Sequence, residues 1–403
     1  MAILVTGGAG YIGSLTVARL RDDGRDVVVL DNMEFGHAEA VAGVPLVQAD
    51  VADAATVTQV VGDHHVDAVI HFAAYKAAGE SMGDPGRYFA NNVGSTNALL
   101  DTLRRGGVER VVFSSTCAVY GTPDRLPVDE TLAIRPESPY GESKALVERI
   151  LHWYGVAYGT RSVSLRYFNA AGAALDGQKG EDWTYTLNLV PLVMKALLGR
   201  IPGLQVFGTD YPTVDGTNIR DYVHVVDLAE AHLRALEYLE KGGEATAVNL
   251  GTGKGSTVLE VIDAARRASG LAIEPALVGR RPGDPVSLYA DNSRARAVLG
   301  WEPRYGLDEI VASAWRWHST HPDGYGTHPD GYGTHPDGNG THPDGYGTHP
   351  DGYGTHPDGN GTHPDGNGTH PDGNGTHPDG NGTHPDGNGT HPDGNGTVVD
   401  TPA

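Results

Sequence analysis

The stretch that most constrains this chain is its first two dozen residues. Ala2-Ile3-Leu4-Val5 is a short, wholly apolar run. It passes into Thr6-Gly7-Gly8-Ala9-Gly10-Tyr11-Ile12-Gly13-Ser14 and then into helical spacing that lasts to about Asp22. Strand, glycine turn and helix is the order a dinucleotide pyrophosphate requires: glycines permit a tight turn and close backbone approach, and the helix N-terminus supplies N–H donors and a positive dipole end. Gly8, Gly10 and Gly13 satisfy G-x-G-x-x-G, and Gly7, Gly10 and Gly13 a wider form. The position between strand and helix separates this motif from a chance run of glycines. The next run, Asp26 to Leu30, ends at Asp31. A carboxylate there accepts hydrogen bonds from adenosine ribose hydroxyls and repels a 2′-phosphate, which predicts NAD rather than NADP.

Further strand-like runs at Pro45 to Gln48, Ala68 to Phe72, Arg110 to Ser115 and Ser162 to Arg166 alternate with helical stretches. That alternation predicts an α/β fold, a Rossmann-type doubly wound parallel sheet covered on both faces. Ligands of such sheets bind at the carboxyl ends of strands. This nominates Asp50-Val51 and Phe72-Ala73-Ala74, where small side chains let a cofactor lie against the backbone. Ser114-Ser115-Thr116 ends another strand at the same edge; such a hydroxyl cluster on its own is as often a turn. Nothing near Cys117 in sequence stabilises a thiolate, so it reads as a packed residue.

Ser138-Pro139-Tyr140-Gly141-Glu142-Ser143-Lys144 then opens a helix. Pro139 suits a first turn, and Ala145, Leu146, Val147, Ile150 and Leu151 give it one buried side. Tyr140 and Lys144, four apart, share a face. Alone, the pair reads as well as a surface cation–π contact. A dinucleotide turn upstream and hydroxyls at the same sheet edge favour a catalytic pair.

Residues 320 to 396 are eleven tandem copies of Thr-His-Pro-Asp-Gly-(Tyr or Asn)-Gly. Each copy carries Pro and two Gly and no aliphatic residue, so it cannot bury enough apolar surface to offset its ordering entropy. A disordered tail over 320–403 is expected, dispensable for catalysis. The three parts expected are a dinucleotide-binding domain at 1–172 with returning segments around 215–252, a smaller substrate-binding domain at 173–319, and this tail. Of the formal charge of −22, the twelve tail aspartates account for −12 and leave −10 on residues 1–319. A moderately acidic body argues against nucleic-acid backbone binding. One cysteine fits a reducing compartment, and neither a signal peptide nor a membrane-spanning apolar run is visible. A cytoplasmic protein is expected.

With these residues assembled, the chain resembles the extended short-chain dehydrogenase/reductases, in particular the UDP-glucose (UDP-galactose) 4-epimerase family. The resemblance rests on Thr6 to Gly13, Asp31-Asn32, His71-Phe72-Ala73-Ala74-Tyr75-Lys76-Ala77-Ala78-Gly79-Glu80-Ser81 and Asn91-Asn92-Val93. It continues through Ser114 to Thr116, Ser138-Pro139-Tyr140, Tyr167-Phe168-Asn169 and Asp221-Tyr222-Val223-His224-Val225. His321-Pro322-Asp323-Gly324-Tyr325 matches the usual family ending, so the tail looks like repeat expansion of an ordinary C-terminus.

The resemblance implies interconversion of UDP-galactose and UDP-glucose by a homodimer with tightly bound NAD, and calls for no metal. Tyr140 would take the proton of the sugar 4-hydroxyl as hydride leaves C4, and the 4-keto sugar would turn over and receive hydride on its other face. Lys144 would help lower the phenol pKa and hold the nicotinamide ribose, and Thr116 would bind the sugar oxygen. The same resemblance assigns cofactor contacts to Gly7, Gly10, Tyr11, Ile12, Gly13, Asp31, Asn32, Asp50, Val51, Phe72, Ala73, Ala74, Lys76, Asn91 and Phe168. UDP contacts fall to Asn169, Asn188, Leu189, Val206, Phe207, Arg220, Arg281 and Asp284. Glu34 and Phe35 depart from the small polar residues usual near the adenosine ribose. Leu288, intermediate in size, leaves acceptance of N-acetylated sugars open. A 4,6-dehydratase would need a carboxylate after Thr116, where this chain has Cys117-Ala118.

Overall fold

The first apolar run has no polar side because both of its faces are covered. In the computed structural model, which describes residues 2–184, 188–281 and 284–326, it forms β1 (Ala2–Thr6). There follow α1 (Tyr11–Asp22), β2 (Asp26–Asp31), β3 (Leu46–Gln48), α2 (Ala54–His64) and β4 (Val66–His71). Two short helices, α3 (Ala78–Gly83) and α4 (Pro85–Tyr88), and a π-helical stretch (Phe89–Ser95) lead into α5 (Thr96–Arg105). Next come β5 (Arg110–Thr116), a 3-10 turn (Cys117–Tyr120), α6 (Pro139–Tyr158), β6 (Arg161–Tyr167) and β7 (Asn169–Ala171). The remainder comprises α7 (Leu189–Leu197), β8 (Gln205–Phe207), β9 (Ile219–Arg220), β10 (Tyr222–His224), α8 (Val225–Glu240), β11 (Thr246–Leu250) and β12 (Ser256–Thr257). It closes with α9 (Val258–Ser269), β13 (Ala276–Val278), β14 (Ser287–Leu288), α10 (Ser293–Leu299) and α11 (Leu307–Thr320).

Seven strands make one parallel sheet in the order β11-β6-β5-β4-β1-β2-β3. Ile3 and Val5 pack with Val17 of α1 and Leu228 and Leu236 of α8; Leu4 packs with Val57, Leu99 and Leu151 on the opposite side. Alternate residues of one strand thus fill two cores, which is why the strands read as continuous apolar runs. The doubly wound parallel sheet expected from the sequence is present. Its strand ends differ from the expected ones by a residue or two: β4 spans Val66–His71 and β6 spans Arg161–Tyr167. Ladder partners such as Arg110 with Arg161 and Thr116 with Tyr167 set those ends, and hydropathy does not show them.

A separate cluster packs α7, α9 and α11 through Val193, Met194, Val261, Ile262, Ile310 and Val311. Helix α11 ends at Thr320, the first residue of the repeats. The first repeat copy, expected to be structureless, is seated on the body: the Tyr325 ring stacks on His37 with centroids 4.7 Å apart and lies 5.0 Å from Trp317. It has no core of its own and uses aromatic surface supplied by the body. The expected disorder of the remaining copies concerns residues 327–403, which lie outside the described residues. Among the described residues no helix is long and apolar enough to cross a membrane.

Candidate active site

The strand order reverses between β1 and β4, and the crevice outside such a switch point is where ligands bind. Glycines shape it from one side. Gly7 has φ +68°, and a Cβ on it would stand 2.6 Å from the Ala73 amide nitrogen; a Cβ on Gly13 would stand 2.3 Å from the Gly7 carbonyl. Two chain segments therefore meet at backbone contact. Gly10 precedes α1 without any side-chain cap, and the first turn holds no acidic residue. The helix amides and the positive end of its dipole thus stay available to a phosphate. This uncapped N-terminus is what fits a dinucleotide to the turn. Tyr11 donates to the Gly172 carbonyl at 2.6 Å, and Ile12 packs against the sheet core.

Asp31 ends β2 and is 7% exposed. Its two oxygens accept the Ala9 and Met33 amides at 3.0 and 2.9 Å, and burial pushes its carboxyl up against the pull of those bonds. Asn32 beside it is exposed and accepts from the Glu34 amide at 3.0 Å. The departures at 34 and 35 belong to one cluster: Glu34 accepts from Tyr75 at 2.9 Å and from Arg87 at 3.1 Å, and Phe35 meets Tyr75 edge-on. Asp50 is exposed and accepts from the Ala52 amide at 2.7 Å, while Val51 is buried.

Across the crevice, Ser138 caps α6 by accepting the Gly141 amide at 3.2 Å, and the Tyr140 amide donates to Ser81 at 3.1 Å. A Cβ on Gly141 would lie 2.7 Å from the Ala118 carbonyl, so α6 starts in contact with the turn after β5. The Tyr140 phenol hydrogen-bonds Thr116, and Lys144 lies one turn further along α6. The Lys144 ammonium donates to the Ser114 carbonyl at 2.9 Å and sits 4.9 Å from the Phe113 ring centroid; burial pulls it down to about 7. Thr116 accepts from the Ala118 amide at 3.1 Å. The expected depression of the Tyr140 phenol is not produced by these residues. Burial pushes it up and Tyr167 adds to that, with a hydrogen bond from Thr116 pulling the other way. Burial also pushes the Cys117 thiol up to about 12, in keeping with a packed residue.

A hydrogen-bonded brace lies beneath. Thr96 donates to the Asn92 carbonyl at 2.7 Å and so accepts from His71 Nε2 at 2.8 Å, leaving His71 Nδ1 to accept from Thr6 at 2.6 Å. Burial pulls His71 down to about 3, consistent with that neutral ring. Asn92 donates to Ser143 and to the Tyr75 carbonyl, both at 3.0 Å. Asn91, the neighbour nominated from sequence, is partly exposed and donates to Asn92 at 3.0 Å. Phe72 packs its ring 4.5 Å from His232, Ala74 is partly buried, and Phe168 is buried beside Ala145. Lys76 reaches the buried Glu181 at 3.3 Å.

On the other flank, Arg220 pairs with Asp284 at 3.2 Å, and the Arg281 guanidinium lies 4.1 Å from the Phe207 ring centroid. Val206 is buried in the cluster of α7 and α9. Asn188 and Leu189 stand at the start of α7, and Asn188 donates to Glu181 at 3.2 Å. Asn169 opens β7, its amide donating to the Asp221 carbonyl at 2.9 Å. Leu288 pairs in register with Arg220.

The sequence assigned no role to three carboxylates. Glu148 and Arg166 form a buried pair, and Glu148 also accepts from Ser115 at 2.5 Å. The signal was an arginine inside the apolar strand Ser164-Leu165-Arg166-Tyr167-Phe168 and a glutamate one helical turn after Lys144. Asp221 is fully buried and accepts from Thr252, Gly253 and Ala290. Glu181 is the shared acceptor of Lys76 and Asn188.

A dinucleotide cradle facing a half-buried tyrosine and a buried lysine of one helix defines a nucleotide-cofactor enzyme of the doubly wound class. The chain belongs to the NAD dependent epimerase/dehydratase family, whose model matches residues 3–251. A curated relative from Lacticaseibacillus casei, a UDP-glucose 4-epimerase, is 48% identical over 328 residues, covering 81% of this chain and 99% of the relative. The structure of UDP-glucose 4-epimerase from Brucella ovis in complex with NAD matches with TM-score 0.77 and 46% identity, covering 78% of this chain and 97% of that one. That from Bifidobacterium longum in complex with NAD+ and UDP matches with TM-score 0.76 and 40% identity, covering 80% and 100%.

Proposed function

We propose that this chain is a UDP-glucose 4-epimerase that interconverts UDP-galactose and UDP-glucose by transient oxidation at C4 of the sugar. The observation that carries the reading is the convergence of Tyr140, Lys144 and Thr116 at the carboxyl end of β5, opposite the uncapped start of α1. NAD, when bound, supplies the hydride acceptor and donor and a positive charge beside the phenol. Tyr140 takes and returns the proton of the 4-hydroxyl, and Thr116 holds the same oxygen. Burial opposes a phenolate here, so proton uptake by Tyr140 belongs to the loaded site. Lys144, with its proton weakly held, holds the nicotinamide ribose. Gly7, Gly10 and Gly13 would admit the pyrophosphate, Lys76 and Asn91 would contact the cofactor, and Asp31 would take the adenosine ribose. Asn169, Asn188, Leu189, Val206, Phe207, Arg220, Arg281 and Asp284 hold the UDP portion, with arginine forks suited to phosphate.

The test is a coupled assay of UDP-galactose conversion to UDP-glucose with no NAD added, followed by identification of the nucleotide released on denaturation. Turnover and NAD are expected. Stoichiometric NADP would overturn the role of Asp31, and an enzyme that holds NAD yet turns over neither sugar would overturn the reaction.

The chain works as a cytoplasmic homodimer in this reading, α6 supplying the contact. Its outer face leaves Trp153 and Val156 61% and 64% exposed, apolar surface that a second copy would cover. Trp153→Glu is expected to turn a dimer into a monomer in light scattering. A wild-type chain monomeric at micromolar concentration would refute the dimer.

A further inference from the structure

The folded body reads the first repeat copy residue by residue. His321 stacks on Trp317 with centroids 4.0 Å apart, and Asp323 pairs with Arg200 at 3.2 Å. Gly324, at φ +60°, turns against Asp182. The Tyr325 hydroxyl accepts from the Gly180 amide at 3.2 Å and donates to the Gly180 carbonyl at 3.3 Å, while its ring stacks on His37. The walls of this groove are fixed independently. His37 bonds Asp182 at 2.8 Å, and Trp317 Nε1 donates to the Glu181 carbonyl at 3.1 Å. A Cβ on Gly180 would stand 2.3 Å from the Trp317 ring, so the two surfaces are in contact.

The seated heptad, Thr-His-Pro-Asp-Gly-Tyr-Gly, recurs letter for letter at 327–333, 341–347 and 348–354; the other copies carry Asn in place of Tyr. A groove that recognises His, Asp, Gly and Tyr side by side distinguishes these copies only by their tether. We propose that the groove formed by His37, Gly180–Asp182 and Trp317 is a recognition site for the tyrosine-bearing heptad, and that copy 327–333 occupies it when the first copy lacks its tyrosine. The tail then carries spare latches for the segment that presents Glu181 to Lys76 and Asn188. Looping out one heptad keeps the second copy at about millimolar effective concentration. An asparagine can neither stack on His37 nor reach both backbone groups of Gly180.

The test compares Tyr325→Asn in the full chain and in a chain ending at Gly326, with the unsubstituted chain at each length. Truncation alone is expected to leave the thermal midpoint unchanged. Tyr325→Asn in the short chain should lower it by about 2–4 °C. The same substitution in the full chain should recover at least half of that loss. Adding Tyr332→Asn, Tyr346→Asn and Tyr353→Asn should remove the recovery. Free Thr-His-Pro-Asp-Gly-Tyr-Gly at about 10 mM, above the tethered effective concentration, should restore the short variant, and the asparagine peptide should not. Equal midpoints for Tyr325→Asn at the two lengths overturn the proposal, as does an asparagine peptide that works equally well. If the short variant fails to fold, a folded full-length variant supports the latch and a second failure overturns it.

Discussion

Tyr140→Phe should lower kcat by about 10²–10⁴, the range of a lost general acid–base group, with the purified protein still folded and still carrying its nucleotide. The substitution deletes one oxygen and keeps the ring that packs at the start of α6. That oxygen is also the hydrogen-bonding partner of Thr116, so in the proposed mechanism the loss should fall on the reacting end of the sugar and not on the UDP portion. KM for UDP-galactose should therefore move little. Steady-state rates, a thermal melt and nucleotide release on the same preparation separate these quantities. Activity within twofold of the unsubstituted enzyme would remove Tyr140 from the chemistry.

Glu148→Ala should destabilise the fold by about 3–5 kcal/mol, the cost of leaving a buried charge without its partner. The Glu148 and Arg166 side chains are 13% and 9% exposed and meet through Arg166 Nη2 at 2.5 Å and Nε at 3.0 Å. Glu148 lies one turn after Lys144 and Arg166 lies in β6, so the pair ties the helix carrying Tyr140 and Lys144 to the sheet. Arg166 also donates to Tyr120 at 2.8 Å, and Tyr120 donates to Asn249 of β11 at 2.7 Å. Replacing both members, Glu148→Leu with Arg166→Met, should cost far less, because desolvation of the pair opposes its attraction. Urea unfolding of the three proteins is the measurement. A single variant no less stable than the double would show that Arg166 finds water or another partner.

The sequence by itself determined the elements whose signal is local. Ala2 to Asp22 announced a strand, a turn and a helix because glycine spacing and apolar periodicity act within a few residues. Asp31 followed for the same reason, as the last residue of the next strand. Tyr140 and Lys144 share a helical face by a spacing of four, whatever the rest of the chain does.

What the tertiary structure alone decided was set by contacts between distant residues. Asn92 rather than Asn91 became the internal brace because its side chain spans Tyr75 and Ser143. The Tyr140 phenol is raised by burial, with Tyr167 adding to it, and burial is a property of packing that the four-residue spacing does not show. The first heptad is identical in sequence to three others; it follows α11 directly and meets His37, Gly180 and Trp317. Composition assigns every copy the same inability to build a core; a core supplied by the body made the first one part of the fold.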